Sequence, residues 1–437
     1  MNSVFIDFEK SVGKVKPMHA VNNVQSMPYD FYGGLDRLAE AHVPYARLHD
    51  TGGAYGGGCY VDIANVFRNF DADEQDPASY DFAFTDVLLS GMNEKGVKPF
   101  YRLGATIENY HKIKAYNIYP PKDPSKWARI CEHIILHYNE GWANGFHLGI
   151  EYWEIWNEPD NEPEIEDNPC WKGTKEQFFE LYDVTSKYLK EKFPHLKIGG
   201  YASCGFYALN NVFIKAANSS PRKEYFLEFF EEFLAYAKEN GSVLDFFSWH
   251  SYADLSSNVV YARHAKERLA AYGFGNCEVF LNEWNPSRGN RGNVPGDPAT
   301  VLSMMVALHD TPTDMCMYYD AAERSGYCGI FSPITHGVTG TYYAFYYFGQ
   351  LYHLGEQCEA RAEGEEIYVM AARGEEKRAF VLVNNKNEEA TVSLTVKGAD
   401  LSRGTARITD LTHTNTVAEA PSETLVLPPY GIFYAEL

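Results

Sequence analysis

The stretch "EYWEIWNEPDNEP", residues 151–163, decides the reading of this chain. Its first half sets aromatic and β-branched residues against carboxylates with the period-two rhythm of a strand. Pro159 has no N–H to give to a sheet ladder, so the strand must stop with Asn157 and Glu158 at its end. Alternation puts Glu154, Trp156 and Glu158 on one face. Glu162 repeats the local letters but lies beyond the stop, in a proline-containing loop, where a solvated charge is expected. Of the two glutamates, Glu158 is the one delivered to a strand end.

Similar runs recur on both sides. "KPMHAVNN" (16–23), "PYARLHD" (44–50), "VKPFYRLG" (97–104), "IEYWEIWN" (150–157), "LKIGGYAS" (196–203), "LDFFSWHSY" (244–252), "EVFLNEWN" (278–285) and "MCMYYDA" (315–321) make eight strand candidates. Helical periodicity fills the gaps. Trp127, Ile130, Cys131, Ile134 and Tyr138 form one stripe, and Thr174 with Gln177 predicts a capping box at the start of a helix over 175–192. Pro221 opens a further helix, and Gly273 closes one over 258–271. Eight strands alternating with helices point to an α/β fold, a (β/α)₈ TIM barrel over residues 13–350. A doubly wound sheet is the alternative, but "DTGGAYGGGCY" (50–60) follows the second strand and lacks a phosphate-loop signature. The long segment 50–80 is expected to wall one end of the barrel mouth.

After residue 350 the pattern changes to short strands separated by turns, such as "KRAFVLVNN" and "ATVSLTV". Residues 351–437 predict a C-terminal antiparallel β-sandwich, and "SVFIDFE" (3–9), within 1–12, is expected to pair with it.

A formal charge of −21 argues against a nucleic-acid partner, because duplex binding needs a basic face. No apolar run is long enough for a membrane span, and the start lacks the pattern of a signal peptide. The eight cysteines (59, 131, 170, 204, 277, 316, 328 and 358) show no CxxC pair. Reduced thiols in a cytoplasmic protein are therefore expected. The aromatic content of 15% suits either a sugar-binding surface or a large core.

In a barrel of this kind the active site lies at the C-terminal ends of the strands. The fourth strand ends in Asn157-Glu158-Pro159 and the seventh in Asn282-Glu283-Trp284-Asn285. On the seventh, alternation groups Val279, Leu281 and Glu283. If both faces point inward, Glu158 and Glu283 converge, and two facing carboxylates suit glycoside hydrolysis. A gap of about 5–5.5 Å gives retention of configuration and about 6.5–9.5 Å gives inversion.

"WEIWNEPD" resembles the acid/base motif of glycoside hydrolase clan A, and most closely that of family 39, which holds β-xylosidases and α-L-iduronidases. "LNEWN" is similar to that family's nucleophile motif. "ARLH" on the second strand, "SWHSY" on the sixth and the terminal sandwich fit the same family. The resemblance implies a retaining double displacement with Glu158 as acid, then base, and Glu283 as nucleophile. It implies that Asn157 binds the sugar 2-hydroxyl. Glu158 would have to be held protonated by aromatic neighbours and the Glu283 charge.

Other positions complete the expected site. Arg47 would lie near Glu283 and hold it ionised, or form a structural pair. Tyr252 would hydrogen-bond Glu283. His250 and His49 would contact the sugar or stay structural. Trp284 would stack on the sugar or pack in the core, Trp156 would pack in the core, and Asp320 would bind a hydroxyl. Glu154 and Arg102 are expected to form a buried structural pair. Tyr119, Trp171 and Glu323 fall on mouth loops, as do Arg288, Arg291 and Arg324, the cations a uronide would need.

His49, His250, Glu158 and Glu283 allow a rival metal centre, but no HxH or HExxH pair supports it, so no metal or cofactor is expected. The expected partner is an oligosaccharide, cut exo-wise to release a terminal sugar. The resemblance favours β-1,4-linked xylose, with an arabinoside, glucoside, galactoside or uronide as alternatives. A non-catalytic sugar-binding barrel is the rival from another class.

Overall fold

The computed structural model describes residues 2–25, 30, 32–49, 60–106, 117–210, 220–286, 296–323 and 325–437. A first strand, β1 (Asn2–Lys14), stands apart from the barrel. The barrel is made of β2 (Ala20–Asn22), β3 (Tyr45–Leu48), β4 (Lys98–Leu103), β5 (Tyr152–Ile155), β6 (Lys197–Ser203), β7 (Phe246–Ser251), β8 (Glu278–Trp284) and β9 (Met315–Tyr318). All pair in parallel and in order, and β9 pairs back onto β2 to close the ring. The eight strands expected from sequence are these eight.

The helices are α1 (Gly34–Glu40), α2 (Ile63–Val66), α3 (Ala83–Lys95), α4 (Pro124–Glu140), α5 (Lys175–Lys192), α6 (Ser220–Asn240), α7 (Leu255–Ala271), α8 (Asp297–His309) and α9 (Gly340–Leu354). Helix α5 carries the expected capping box. The Thr174 hydroxyl accepts from the Gln177 N–H, and the Gln177 side chain accepts from the Thr174 N–H. A cap of this kind contributes about 1 kcal/mol. Among the described residues, no helix is long and apolar enough to cross a membrane.

Two tiers of inward side chains fill the barrel. The lower is apolar: Ala20, Phe100, Tyr152, Phe246, Phe280, Met315 and Met317 form one cluster. Two residues further along the strands the tier turns polar, with Asn22, Arg47, Arg102, Glu154, Ser248 and Asn282 all buried. The intervening residues Trp153, Ile155, Val279 and Leu281 face outward into the large core beneath the helices. This is the period-two rule at work along these strands up to the polar tier.

The polar tier corrects one expectation. Arg102 and Glu154 are cross-strand neighbours, yet their charges part. Arg102 Nη2 reaches Asp62 at 2.6 Å and Thr106 Oγ1 at 2.9 Å, at the start of α2 and just after β4. Glu154 instead takes Arg47 Nε at 2.6 Å on one oxygen and Ser248 Oγ and Asn282 Nδ2, each at 2.6 Å, on the other. The barrel interior brings a guanidinium two strands away closer to Glu154 than the one beside it.

The remaining strands are β10 (Glu356–Glu363), β11 (Ile367–Arg373), β12 (Arg378–Asn384), β13 (Ala390–Lys397), β14 (Thr405–Thr409), β15 (Thr416–Ala418), β16 (Thr424–Leu427) and β17 (Ile432–Glu436). With β1 they form one nine-stranded sheet. Every pairing is antiparallel except that of β1 with β13. The N-terminal strand thus joins the C-terminal sheet as expected, with one parallel neighbour. Alternation divides β12 cleanly: Phe380 and Leu382 enter the sheet's own core, while Ala379, Val381 and Val383 join the barrel core. Tyr347 of α9 stacks on Tyr434 of β17, centroids 4.9 Å apart, where barrel meets sheet.

Candidate active site

Alternation is broken on the way to both glutamates, and for Glu283 it would point the side chain the wrong way. On β5 the inward residues are Tyr152 and Glu154, but Trp156 turns outward. Its ring meets Trp127 of α4 at 6.0 Å and Trp171 edge-on at 5.1 Å, and its Nε1 donates to the Cys170 carbonyl. Trp156 and Glu158 both have left-handed backbone, with φ of 75° and 46°. Each such residue costs roughly 1–3 kcal/mol. The bend is held by hydrogen bonds from Trp156 N to the Leu103 carbonyl and from Glu158 N to the Ala202 carbonyl. It also requires glycine at 104, where an added Cβ would sit 3.0 Å from the Trp156 Cα. The expected common face of Glu154, Trp156 and Glu158 is therefore broken at Trp156, whose packing in the core is as expected.

On β8 the inward residues are Phe280 and Asn282, so strict alternation would turn Glu283 outward with Leu281. A register shift intervenes. Trp249 pairs with Leu281 but His250 pairs with Glu283, one residue further on. This irregularity re-aims Glu283 into the mouth, a common role for bulges beside active sites. Trp284 then turns out. It is 1% exposed and lies edge-on to Tyr318, which meets Phe345 of α9, so the structure places it in packing.

The two carboxylates come together around His250. Its Nδ1 lies 2.7 Å from Glu158 Oε1 and 3.4 Å from Glu283 Oε2. One oxygen of each glutamate and a ring nitrogen all lie within 4.8 Å of one another. Glu158 and Glu283 keep 15% and 8% of their side chains exposed, so both remain reachable from the mouth. The second oxygen of Glu158 accepts from Asn161 Nδ2 at 2.6 Å. On Glu283, Oε1 accepts from the Tyr252 hydroxyl, while Oε2 has only Arg47 Nη1 at 3.6 Å and His250 nearby. This trio is also the one described cluster able to hold a cation. His250 Nδ1, both Glu158 oxygens and Glu283 Oε1 are already hydrogen-bonded, which leaves Glu283 Oε2 as the one carboxylate oxygen of the trio without a hydrogen bond.

Arg47 links the polar tier to the site. Its Nε holds Glu154, its Nη1 holds Asn22 Oδ1 at 3.1 Å, and its Nη2 holds Asn157 Oδ1 at 2.7 Å. His49 is buried beside Arg47, Arg102 and His250, and burial with those charges keeps its ring neutral, well below the usual histidine range. Asp320 is buried after β9. Burial raises it to about 7, against the hydrogen bonds of Ser325 and Asn23 and with the Glu283 charge.

The proton order differs from the expectation for an acid at Glu158. Burial pushes Glu158 up, but the His250 hydrogen bond and charge, the Asn161 amide and the Arg222 charge together leave it below the usual carboxylate range. Burial and the Glu158 charge leave Glu283 raised, against the pull of His250, Arg47 and Tyr252. His250 is raised despite its burial, chiefly by Glu283 and Glu158. An imidazolium with a carboxylate and an imidazole with a carboxylic acid differ only by a proton shift along the 2.7 Å bond. That bond is the direct route for a proton to reach Glu158 Oε1.

Of the mouth-loop residues, Trp171 is buried against Trp156, Tyr119 is 52% exposed, and Glu323 pairs with His336. Arg288, Arg291, Arg324 and the first part of the 50–80 segment lie outside the described residues. The seven described cysteines are all free and buried. Glu162 departs from its expected role. It is half-buried and pairs with Arg222 of α6 at 3.1 Å.

The sequence profile of the glycosyl hydrolases family 39 matches residues 45–309, from the start of β3 to the end of α8. The chain belongs to glycosyl hydrolase family 39. It is 27% identical to a β-xylosidase of Geobacillus stearothermophilus over 209 residues, 45% of this chain and 35% of that protein. It therefore spans about a third of the length of that curated relative. Among solved structures, it is similar to a glucosidase from Croceicoccus marinus at a TM-score of 0.75 and 18% identity, covering 100% of this chain and 98% of that one. A family-39 β-xylosidase from Caulobacter crescentus follows at a TM-score of 0.66 and 18% identity, covering 100% and 99%. Likeness at these identities speaks for the fold, and it extends over barrel and terminal sheet alike. Within this family-39 site, sequence reasoning missed Asn22, Ser248, Asn161 and Arg222. Asn22 carried a faint signal, a buried amide two residues after an apolar strand position. Arg222 carried none, being 61 residues from Asn161.

Proposed function

We propose that this family-39 chain is a retaining, exo-acting glycoside hydrolase that releases a terminal sugar, xylose foremost, from short β-linked oligosaccharides. The observation that carries the reading is the approach of the two carboxylates to within 4.8 Å across His250. Nearest oxygens that close support the short carboxyl gap of a retaining pair, about 5–5.5 Å, over the gap of about 6.5–9.5 Å used in inversion.

The steps follow from the hydrogen bonds. Glu283 Oε2 makes no hydrogen bond, so its lone pair is the one left to attack the anomeric carbon. Tyr252 and Arg47 steady the nucleophile's charge. As the glycosidic C–O bond breaks, the leaving oxygen takes the proton from Glu158, resupplied along the bond to His250. Glu158 is left ionised beside a neutral His250, and the ester at Glu283 no longer carries the charge that would draw a proton back to it. It then takes a proton from water, whose oxygen attacks the anomeric carbon and frees Glu283. Arg47 fixes Asn157 Oδ1, which turns Nδ2 to the sugar 2-hydroxyl.

Xylose as the sugar rests on likeness to proteins named β-xylosidases. A glucoside is the second reading, favoured by the similarity to a glucosidase. A panel of 4-nitrophenyl β-xyloside, β-glucoside, β-galactoside and α-L-arabinoside tests both. The β-xyloside is expected to give the highest kcat/KM. A β-glucoside preference would overturn the choice of sugar, and turnover of none with retained xylose binding would show a binding barrel instead.

A further inference from the structure

We infer that Arg222, clamped by Glu162, is a positioning residue that fixes which oxygen of Glu158 carries the acid proton. The inference rests on the assignment of Glu158 as acid and base. Its basis is a chain of directed hydrogen bonds. Arg222 Nη2 donates to Asn161 Oδ1 at 2.7 Å, and its Nε donates to the Asn161 carbonyl at 2.6 Å. A guanidinium has only donors, so the amide oxygen of Asn161 must face it. The amide nitrogen is then forced toward Glu158 Oε2, 2.6 Å away. An NH₂ group cannot accept, so a proton on Oε2 would face a donor and lose a hydrogen bond. The proton is thereby assigned to Oε1, on the bond to His250. That nitrogen also faces Glu283 Oε2, so Oε1 is the oxygen turned toward the nucleophile, where the scissile bond must lie.

Arg222 comes from the first turn of α6 and lies over the Phe226 ring, with Cζ 5.5 Å from its centroid. Glu162 Oε1 lies 3.1 Å from the same Nε that donates to the Asn161 carbonyl. The two charges act on Glu158 with opposite signs. Other charged or titratable groups facing Glu158 are His250 and Tyr252 from β7 and its end, and Glu283 from β8. Asp160 and Cys170 come from its own loop, and Cys204 and Tyr207 from the segment after β6. All of these stay intact in the variants below, so their titration is common to them.

The test compares Arg222→Gln, Arg222→Lys, Glu162→Gln and Glu158→Gln with the parent chain. The substrates are the best 4-nitrophenyl glycoside of the panel and the corresponding disaccharide. Loss of Arg222's charge is expected to move the basic limb of kcat/KM up by about 0.5–1 pH unit. Loss of its hold on Asn161 should lower kcat on the disaccharide about 5–10-fold more than on the nitrophenyl substrate, since only the former needs full proton assistance. Arg222→Lys should restore the limb but not the full kcat on the disaccharide. Glu162→Gln should move the limb the other way, down by about 0.2–0.3 unit, because it removes the opposing charge. A folded Arg222→Gln with an unmoved limb and equal losses on both substrates overturns the inference. If Arg222→Gln does not fold, Glu162→Gln decides alone, and an upward or absent shift overturns it. Equal loss on both substrates in Glu158→Gln overturns the acid/base assignment itself, and the inference with it.

Discussion

The triplets Asn157-Glu158-Pro159 and Asn161-Glu162-Pro163 share their letters and almost their address. The first sits where β5 ends, bent by two left-handed residues so that its glutamate enters the barrel mouth. There Glu158 meets His250 and a second carboxylate. The second triplet lies four residues on, where the chain has left the barrel and faces α6. Its asparagine hydrogen-bonds Glu158, and its glutamate clamps the arginine that aims that asparagine. In the proposed mechanism the first glutamate does the chemistry, where burial and a facing charge act on its proton. The other, half-buried and paired, acts at one remove, through Arg222.

Breaking this contrast begins with the partner of the first triplet. Glu283→Ala should lower kcat by about 10⁴-fold or more on every substrate, measured by steady-state turnover of the nitrophenyl glycoside. Glu158→Gln should lower kcat by about 10²–10⁴-fold on the disaccharide and much less on the nitrophenyl substrate. Glu162→Gln, by contrast, should leave kcat at the pH optimum within about twofold, as expected for a residue that acts through a field. A loss in Glu162→Gln as large as that in Glu158→Gln would erase the distinction.

Stability sharpens the same contrast between buried and half-buried charge. Glu154→Leu leaves the buried Arg47 with only the 3.6 Å approach to Glu283 and should cost about 3–5 kcal/mol in urea unfolding. Glu162→Gln should cost no more than about 1 kcal/mol. The pH profile gives the smallest effect. The shared proton is lost when pH rises through the raised value of His250, so activity should be full below the basic limb and fall through it. The midpoint of that limb in kcat/KM should lie above 6.5, the ordinary histidine value. A midpoint below it would mean that His250 does not hold this proton.

Much of the fold was legible because it depends on local chemistry. The aromatic and β-branched runs marked the barrel strands, and Thr174 with Gln177 marked a helix start, while β5 stops at Ile155, ahead of the end expected at Pro159. The two site glutamates followed from strand ends. Their route into the mouth did not, because it breaks the alternation from which they were read. The bulge between His250 and Glu283 depends on pairing with β7, and the outward turn of Trp156 depends on space between α4 and Trp171. Neither is written in neighbouring letters. The choice of Arg47 over Arg102 by Glu154 is likewise set by geometry inside a closed barrel. The Arg222–Asn161 contact joins a helix start to a loop and has no periodic signature.

The stereochemistry of the first-formed product tests the two-glutamate displacement most directly. Proton NMR during early hydrolysis of the preferred β-glycoside, before mutarotation, reads the anomer released. Glu158 and Glu283 acting as a close pair predict that the β-anomer appears first. Initial release of the α-anomer would contradict the double displacement.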